Sequence, residues 1–124
     1  MKILIVEDNR LTVELIKIIV KEYGTIDIAM DGEKAMEMFK EKFKKEDAYD
    51  LVLLDIMLPK LSGLDVLEEI REYEKNNVKK VKIIMQSALS DLESIQKSEK
   101  ADGYLIKPYT REIFLKELKG LELI

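Results

Sequence analysis

Four charged side chains in this sequence stand directly after runs of large aliphatic residues. Glu7 and Asp8 follow Ile3-Leu4-Ile5-Val6, Asp55 follows Leu51-Val52-Leu53-Leu54, and Lys107 follows Tyr104-Leu105-Ile106. Unbroken Val/Ile/Leu runs of this length read as strands buried on both faces, so each charge falls where such a strand ends. In an open parallel sheet flanked by helices, ligands bind at the carboxyl ends of the strands. Three carboxylates gathered there repel one another unless a hard cation joins them, and oxygen ligands of this kind suit Mg²⁺. Ser87, after Ile83-Ile84-Met85-Gln86, puts a hydroxyl at a fourth strand end, where it and Lys107 could both reach an anion beside the metal. Singly, each residue has a plainer explanation: acids before a helix start, a turn aspartate, a capping serine, a surface lysine before proline. Their convergence is what points to a site.

The elements that must position them alternate regularly. Strands are predicted at about 2–6, 25–30, 50–54, 81–86 and 103–106. The first helix, roughly 10–22, carries Leu11, Leu15, Ile18 and Ile19 on one face and stops before Gly24. The second, roughly 33–44, groups Ala35, Met36, Phe39 and Phe43, and the third, roughly 63–74, groups Leu64, Val66, Leu67 and Ile70. Ser90 and Glu93 resemble a capping box for a fourth helix, but between 91 and 100 only Leu92 and Ile95 are large and apolar, so this helix is weakly anchored. The fifth runs from a Thr110 cap through Phe114, Leu118 and Leu121. Five strand-helix alternations imply an α/β, doubly wound (βα)5 three-layer sandwich with a parallel sheet, in the order 2-1-3-4-5 or a relative of it. In that order the first and third strands are neighbours, and Glu7 and Asp8 face Asp55.

Composition narrows the chemistry. A chain of 124 residues is one domain, here 1–124, with no room expected for a second, output module. A net charge of −4 offers no basic footprint, and the pairs Lys44-Lys45 and Lys79-Lys80 read as solvated surface, so no direct nucleic-acid binding is expected. No segment reaches membrane-spanning length and the apolar start is too short for a secretory signal, which makes a cytoplasmic protein the expectation. With no cysteine and no histidine, thiolate chemistry and Ser-His or Cys-His nucleophile pairs are excluded.

Four stretches, in order and suitably separated, resemble the receiver domain of two-component response regulators. They are Glu7-Asp8; Asp50-Leu51-Val52-Leu53-Leu54-Asp55-Ile56-Met57-Leu58-Pro59 with Gly63 beyond; Ser87-Ala88; and Asp102-Gly103-Tyr104-Leu105-Ile106-Lys107-Pro108-Tyr109. The resemblance spans essentially the whole chain and implies a flavodoxin-like fold. It implies that Asp55 is the phosphoacceptor, that Mg²⁺ is bound by Asp8, Asp55, the Met57 backbone carbonyl and, through water, Glu7, and that Lys107 and Ser87 hold the phosphoryl oxygens. It further implies that Ser87 and Tyr104 act as a switch repacking the surface of the fourth helix, fifth strand and fifth helix, and that Lys107-Pro108 is a cis peptide.

The implied function is phosphoacceptor in two-component signal transduction rather than a turnover enzyme. The phosphoryl group would come from a sensor histidine kinase or phosphotransfer protein, since this chain has no histidine of its own, and the downstream protein target is undetermined. Met57 and Leu89 flank the approach of an attacking water in such a domain, and their apolar side chains imply slow self-hydrolysis. Two other readings share the architecture. A flavodoxin-like cofactor binder would need amides and hydroxyls after its first strand, where Glu7 and Asp8 repel an anion. A phosphorylation-independent adaptor would keep the fold without using the site.

Overall fold

In the computed structural model, residues 1–88 and 100–124 are described. The segment 89–99, which contains Leu89 and nearly all of the predicted fourth helix, lies outside the described residues. The strands are β1 (Lys2–Val6), β2 (Thr25–Ala29), β3 (Leu51–Asp55), β4 (Lys82–Ser87) and β5 (Gly103–Ile106). The described helices are α1 (Arg10–Val20), α2 (Gly32–Lys44), α3 (Gly63–Tyr73) and a C-terminal helix (Arg111–Gly120). All strand pairs are parallel, as the alternation predicts, and the order is β2-β1-β3-β4-β5 rather than a relative of it.

Side-chain alternation divides the interior into two layers. Leu4, Val6, Val52, Leu54, Ile83 and Met85 face α2 and α3, where they meet Met36, Phe39, Leu67 and Ile70. Ile3, Ile5, Leu51, Leu53, Ile84 and Leu105 face the other way, toward Val13 and Ile16 of α1 and Phe114 and Leu118 of the C-terminal helix. Each described helix starts just beyond a cap: Asn9, Asp31, Ser62 and Thr110 accept from the backbone N–H groups of Thr12, Lys34, Asp65 and Ile113. Lys107-Pro108 is cis, as the resemblance implies.

One helix face differs from expectation. In α1 the residues that enter the core are Val13, Ile16 and Val20, whereas Leu11, Leu15 and Ile18 are exposed and Ile19 is only partly covered. The sequence of α1 carries two apolar stripes, and periodicity alone favours neither. The sheet takes the stripe that the Asn9 cap and the short β1–α1 connection turn toward it, leaving Leu15 and Ile18 beside Pro108 and Tyr109 at the surface.

Gly63 holds the start of α3 against the end of β3. Its N–H donates to Ile56 O at 2.9 Å, and a Cβ there would fall 2.2 Å from Asp55 O and 2.7 Å from Ile56 Cα. These are backbone atoms and cannot rotate aside. Gly63→Ala is therefore expected to lower unfolding stability by about 1–3 kcal/mol, the usual range for overpacking. Urea denaturation of the two proteins checks this, and coincident curves would contradict it.

Candidate functional site

The parity that sorts the core also builds the site. Glu7 continues the Ile3–Ile5 row of β1, Asp55 the Leu51–Leu53 row of β3, and Gln86 the Ile84 row of β4. The register aligns these ends, with Val6 opposite Leu54 and Asp55 opposite Gln86. Ser87 closes β4 opposite Ile106, and the Lys107 N–H donates to Ser87 O at 2.8 Å, which brings the lysine back over the strand ends. Glu7, Asp55 and Ser87 are buried while Asp8 is exposed at the rim. One carboxylate oxygen from each of Glu7, Asp8 and Asp55 lies within 4.8 Å of the others. Hard oxygen donors at that spacing, one of them open to solvent, fit a small divalent cation such as Mg²⁺.

Lys107 is the counter-charge. Its Nζ lies 2.9 Å from Glu7 Oε2 and 3.4 Å from Asp55 Oδ2, spanning two acids that would otherwise face each other uncompensated. Burial pushes the Glu7 carboxyl above the ordinary glutamate value; the Lys107 hydrogen bond offsets this only in part, and the charge of Asp55 adds to it. For Lys107 burial pulls downward, but the hydrogen bond to Glu7 and the charges of Asp55 and Glu7 outweigh it and hold the ammonium above its usual value. Glu7 Oε1 also accepts from the Asn9 N–H at 3.2 Å, fixing the carboxylate from its other side.

Ser87 Oγ is buried and has no hydrogen-bond partner among the described residues. A buried hydroxyl without a partner is costly, so its place at the end of β4, next to the strand that ends in Asp55, suits a group that arrives with acceptor oxygens. Met57, two residues beyond Asp55, is 70% exposed. Tyr104 is half-buried on β5 against the α2/α3 side of the core, and its N–H donates to Glu117 Oε1 at 3.3 Å. Glu7, Asp8, Asp55, Ser87 and Lys107 thus meet at one end of the sheet; Leu89, the other residue expected to flank the site, lies outside the described residues.

Sequence reasoning passed over two neighbours. Gln86 is fully buried next to Ser87, and the Tyr109 hydroxyl donates to its Oε1 at 2.5 Å. The available signal was a glutamine inside an otherwise apolar strand, since a buried amide must find partners.

The receiver-domain family model, described as "Response regulator receiver domain", matches residues 3–119. Over 122 residues the chain is 31% identical to the transcriptional regulatory protein CpxR of Escherichia coli, covering 97% of this chain and 48% of CpxR. Over 111 residues it is 38% identical to hybrid signal transduction histidine kinase I of Dictyostelium discoideum, covering 86% of this chain and 6% of the kinase. The chain thus spans about half the length, or far less, of these curated relatives. Among solved structures it is similar to the CheX-CheY-BeF3-Mg²⁺ complex from Borrelia burgdorferi, with a TM-score of 0.85, 31% identity and coverage of 98% of this chain and 89% of that one. It is also similar to the response regulator TrrA of Thermotoga maritima in complex with Mg²⁺-BeF, with a TM-score of 0.77, 37% identity and coverage of 99% and 98%. With the fold, the strand-end cluster and a family match over nearly its whole length in agreement, the chain belongs to the response regulator receiver domains of two-component systems.

Proposed function

We propose that this domain accepts a phosphoryl group on Asp55 from a phosphohistidine of a sensor kinase or phosphotransfer protein. The observation that carries this reading is Lys107, a half-buried cation lodged between Glu7 and Asp55 where an anion would otherwise be repelled. In the transfer an Asp55 carboxylate oxygen attacks phosphorus in line as the bond to the donor imidazole nitrogen breaks, and the imidazole leaves with its electron pair. Little covalent work falls to the protein, so the step depends on positioning and charge neutralisation. Lys107 can turn from the acids to a phosphoryl oxygen, and Ser87 Oγ can donate to another. Asp8, Asp55, the Met57 carbonyl and, through water, Glu7 would hold Mg²⁺, which would supply positive charge to offset the carboxylates and the incoming phosphoryl group.

With Ser87 drawn toward the acyl phosphate, Tyr104 is the half-buried side chain placed to follow, changing the surface that a target protein reads. The domain then acts as a single-phosphate acceptor and relay rather than a turnover enzyme, and the exposed thioether of Met57 offers no strong hydrogen bond to a hydrolytic water. Incubation with acetyl phosphate and Mg²⁺, followed by peptide mass spectrometry, is expected to find one acyl phosphate, on Asp55. Phosphate on another residue, or equal yield in the presence of a chelator, would refute the assignment.

A further inference from the structure

Gln86 is an unusual tenant of its position. It is fully buried on the α1 side of β4, directly in register with Asp55, where an aliphatic side chain would continue the row begun by Ile84. Its Oε1 accepts from Tyr109, but its Nε2 has no partner among the described residues. A buried amide left half-satisfied lowers stability, so it needs a compensating role.

Tyr109 supplies the other half. Its ring packs into the α1 side of the core, 5.7 Å from the Phe114 ring, so its hydroxyl is delivered to Gln86 from a fixed base. Burial raises the phenol pKa, and the charges of Glu7 and Asp55 push it the same way, so the hydroxyl keeps the proton it donates. It also stands in the field of the same two carboxylates that Lys107 bridges.

Between these contacts lies the turn that bears Lys107. At one end the Lys107 N–H donates to Ser87 O at 2.8 Å; two residues on, the Tyr109 hydroxyl donates to Gln86 at 2.5 Å. The turn is therefore tied at two points to consecutive residues of β4. The lysine stem is long and flexible, and its own contacts with Glu7 and Asp55 do not fix where its Cα stands.

We propose that Gln86 and Tyr109 are a positioning pair for phosphoryl transfer, their hydrogen bond fixing the Lys107 turn so that Nζ stands over Glu7 and Asp55. The proposal rests on Asp55 being the phosphoacceptor. Neither residue touches the reacting atoms; both act through Lys107. A small displacement of a charge-neutralising group suffices to slow a reaction that depends on placement.

The test is a double-mutant cycle of Tyr109→Phe, which removes one hydroxyl and keeps the ring, and Gln86→Met, which removes the amide and keeps the length. Two readouts are taken on the full chain. The first is the maximal rate of Asp55 phosphorylation by acetyl phosphate, with the Mg²⁺ concentration for half-maximal rate. The second is the NMR signal of the Lys107 ε-methylene, assigned by its loss in Lys107→Arg. Each single variant is expected to slow the maximal rate by about 10- to 100-fold, with the Mg²⁺ requirement changed by less than about twofold, and to move the Lys107 signal toward those of exposed lysines. The double variant is expected to be no slower than the slower single one, because one bond is lost in all three. A Lys107 signal unmoved in both single variants would overturn the proposal, as would rate losses that multiply in the double variant. If the parent acquires no acyl phosphate, it is the phosphoacceptor reading that fails, and the Lys107 signal alone still decides whether the pair positions the lysine.

Discussion

Asp55→Asn is expected to lose phosphoryl acceptance entirely and, in the absence of divalent metal, to unfold at higher urea than the parent. The loss of acceptance follows from chemistry: an amide oxygen is too poor a nucleophile to form the acyl phosphate. The gain follows from geometry. Ligand oxygens of Glu7, Asp8 and Asp55 lie within 4.8 Å of one another, and among the described residues Lys107 is the cation paired with the two buried acids. Removing one negative charge from that group relieves repulsion while leaving Lys107 its 2.9 Å contact with Glu7. A net stabilisation on the order of 1 kcal/mol is expected, because most of the bare repulsion is screened and already countered by the lysine. Saturating Mg²⁺ should close the gap, since it binds the folded parent more tightly than the variant. Phosphate incorporated by the variant would refute the nucleophile, and a metal-free variant weaker than its parent would refute the repulsion.

Lys107→Met is expected to slow phosphoryl transfer by about 10²- to 10³-fold, the usual cost of deleting one preorganised charge-stabilising group. It should also destabilise the metal-free protein in a pH-dependent way. Glu7 already has a raised pKa in the folded parent, so its contribution to stability is fully present below the ordinary value of 4.5 and is lost as pH rises through the folded value. The methionine removes the hydrogen bond and charge that restrain this shift, which moves the folded pKa of Glu7 higher and widens the window of loss. The deficit relative to the parent should therefore be small near pH 4.5 and grow toward neutrality, reaching about 1–3 kcal/mol; the figure is kept below that for a fully buried pair because Lys107 is partly exposed. Urea denaturation of both proteins across this range, in chelator, measures the difference. A deficit that is constant or that shrinks with rising pH would contradict the role given to Glu7.

Much of this protein was legible in its residues because the informative patterns are local. Aliphatic runs such as Leu51–Leu54 mark strands buried on both faces, and a charge after each run marks the strand end, where a parallel sheet brings such ends together. That pattern and right-handed crossovers narrow the strand order to 2-1-3-4-5 or a relative of it, and in the observed order the ends bearing Glu7, Asp8, Asp55, Ser87 and Lys107 lie together. The tertiary structure decided what local pattern leaves open. In α1 two apolar stripes satisfy the helical period equally well, and only docking on the sheet selects Val13, Ile16 and Val20 and exposes Leu11, Leu15 and Ile18. Pairings between residues far apart in the chain were equally hidden. Arg71 reaches Asp102 at 2.8 Å and shares the buried Glu74 with the Val81 N–H, tying the end of α3 to the starts of β4 and β5. Tyr109 finds Gln86 in the same way, across a separation of 23 residues. Residue type fixes what a buried polar group needs, but which partner meets that need is set by the packing of elements that are distant in sequence.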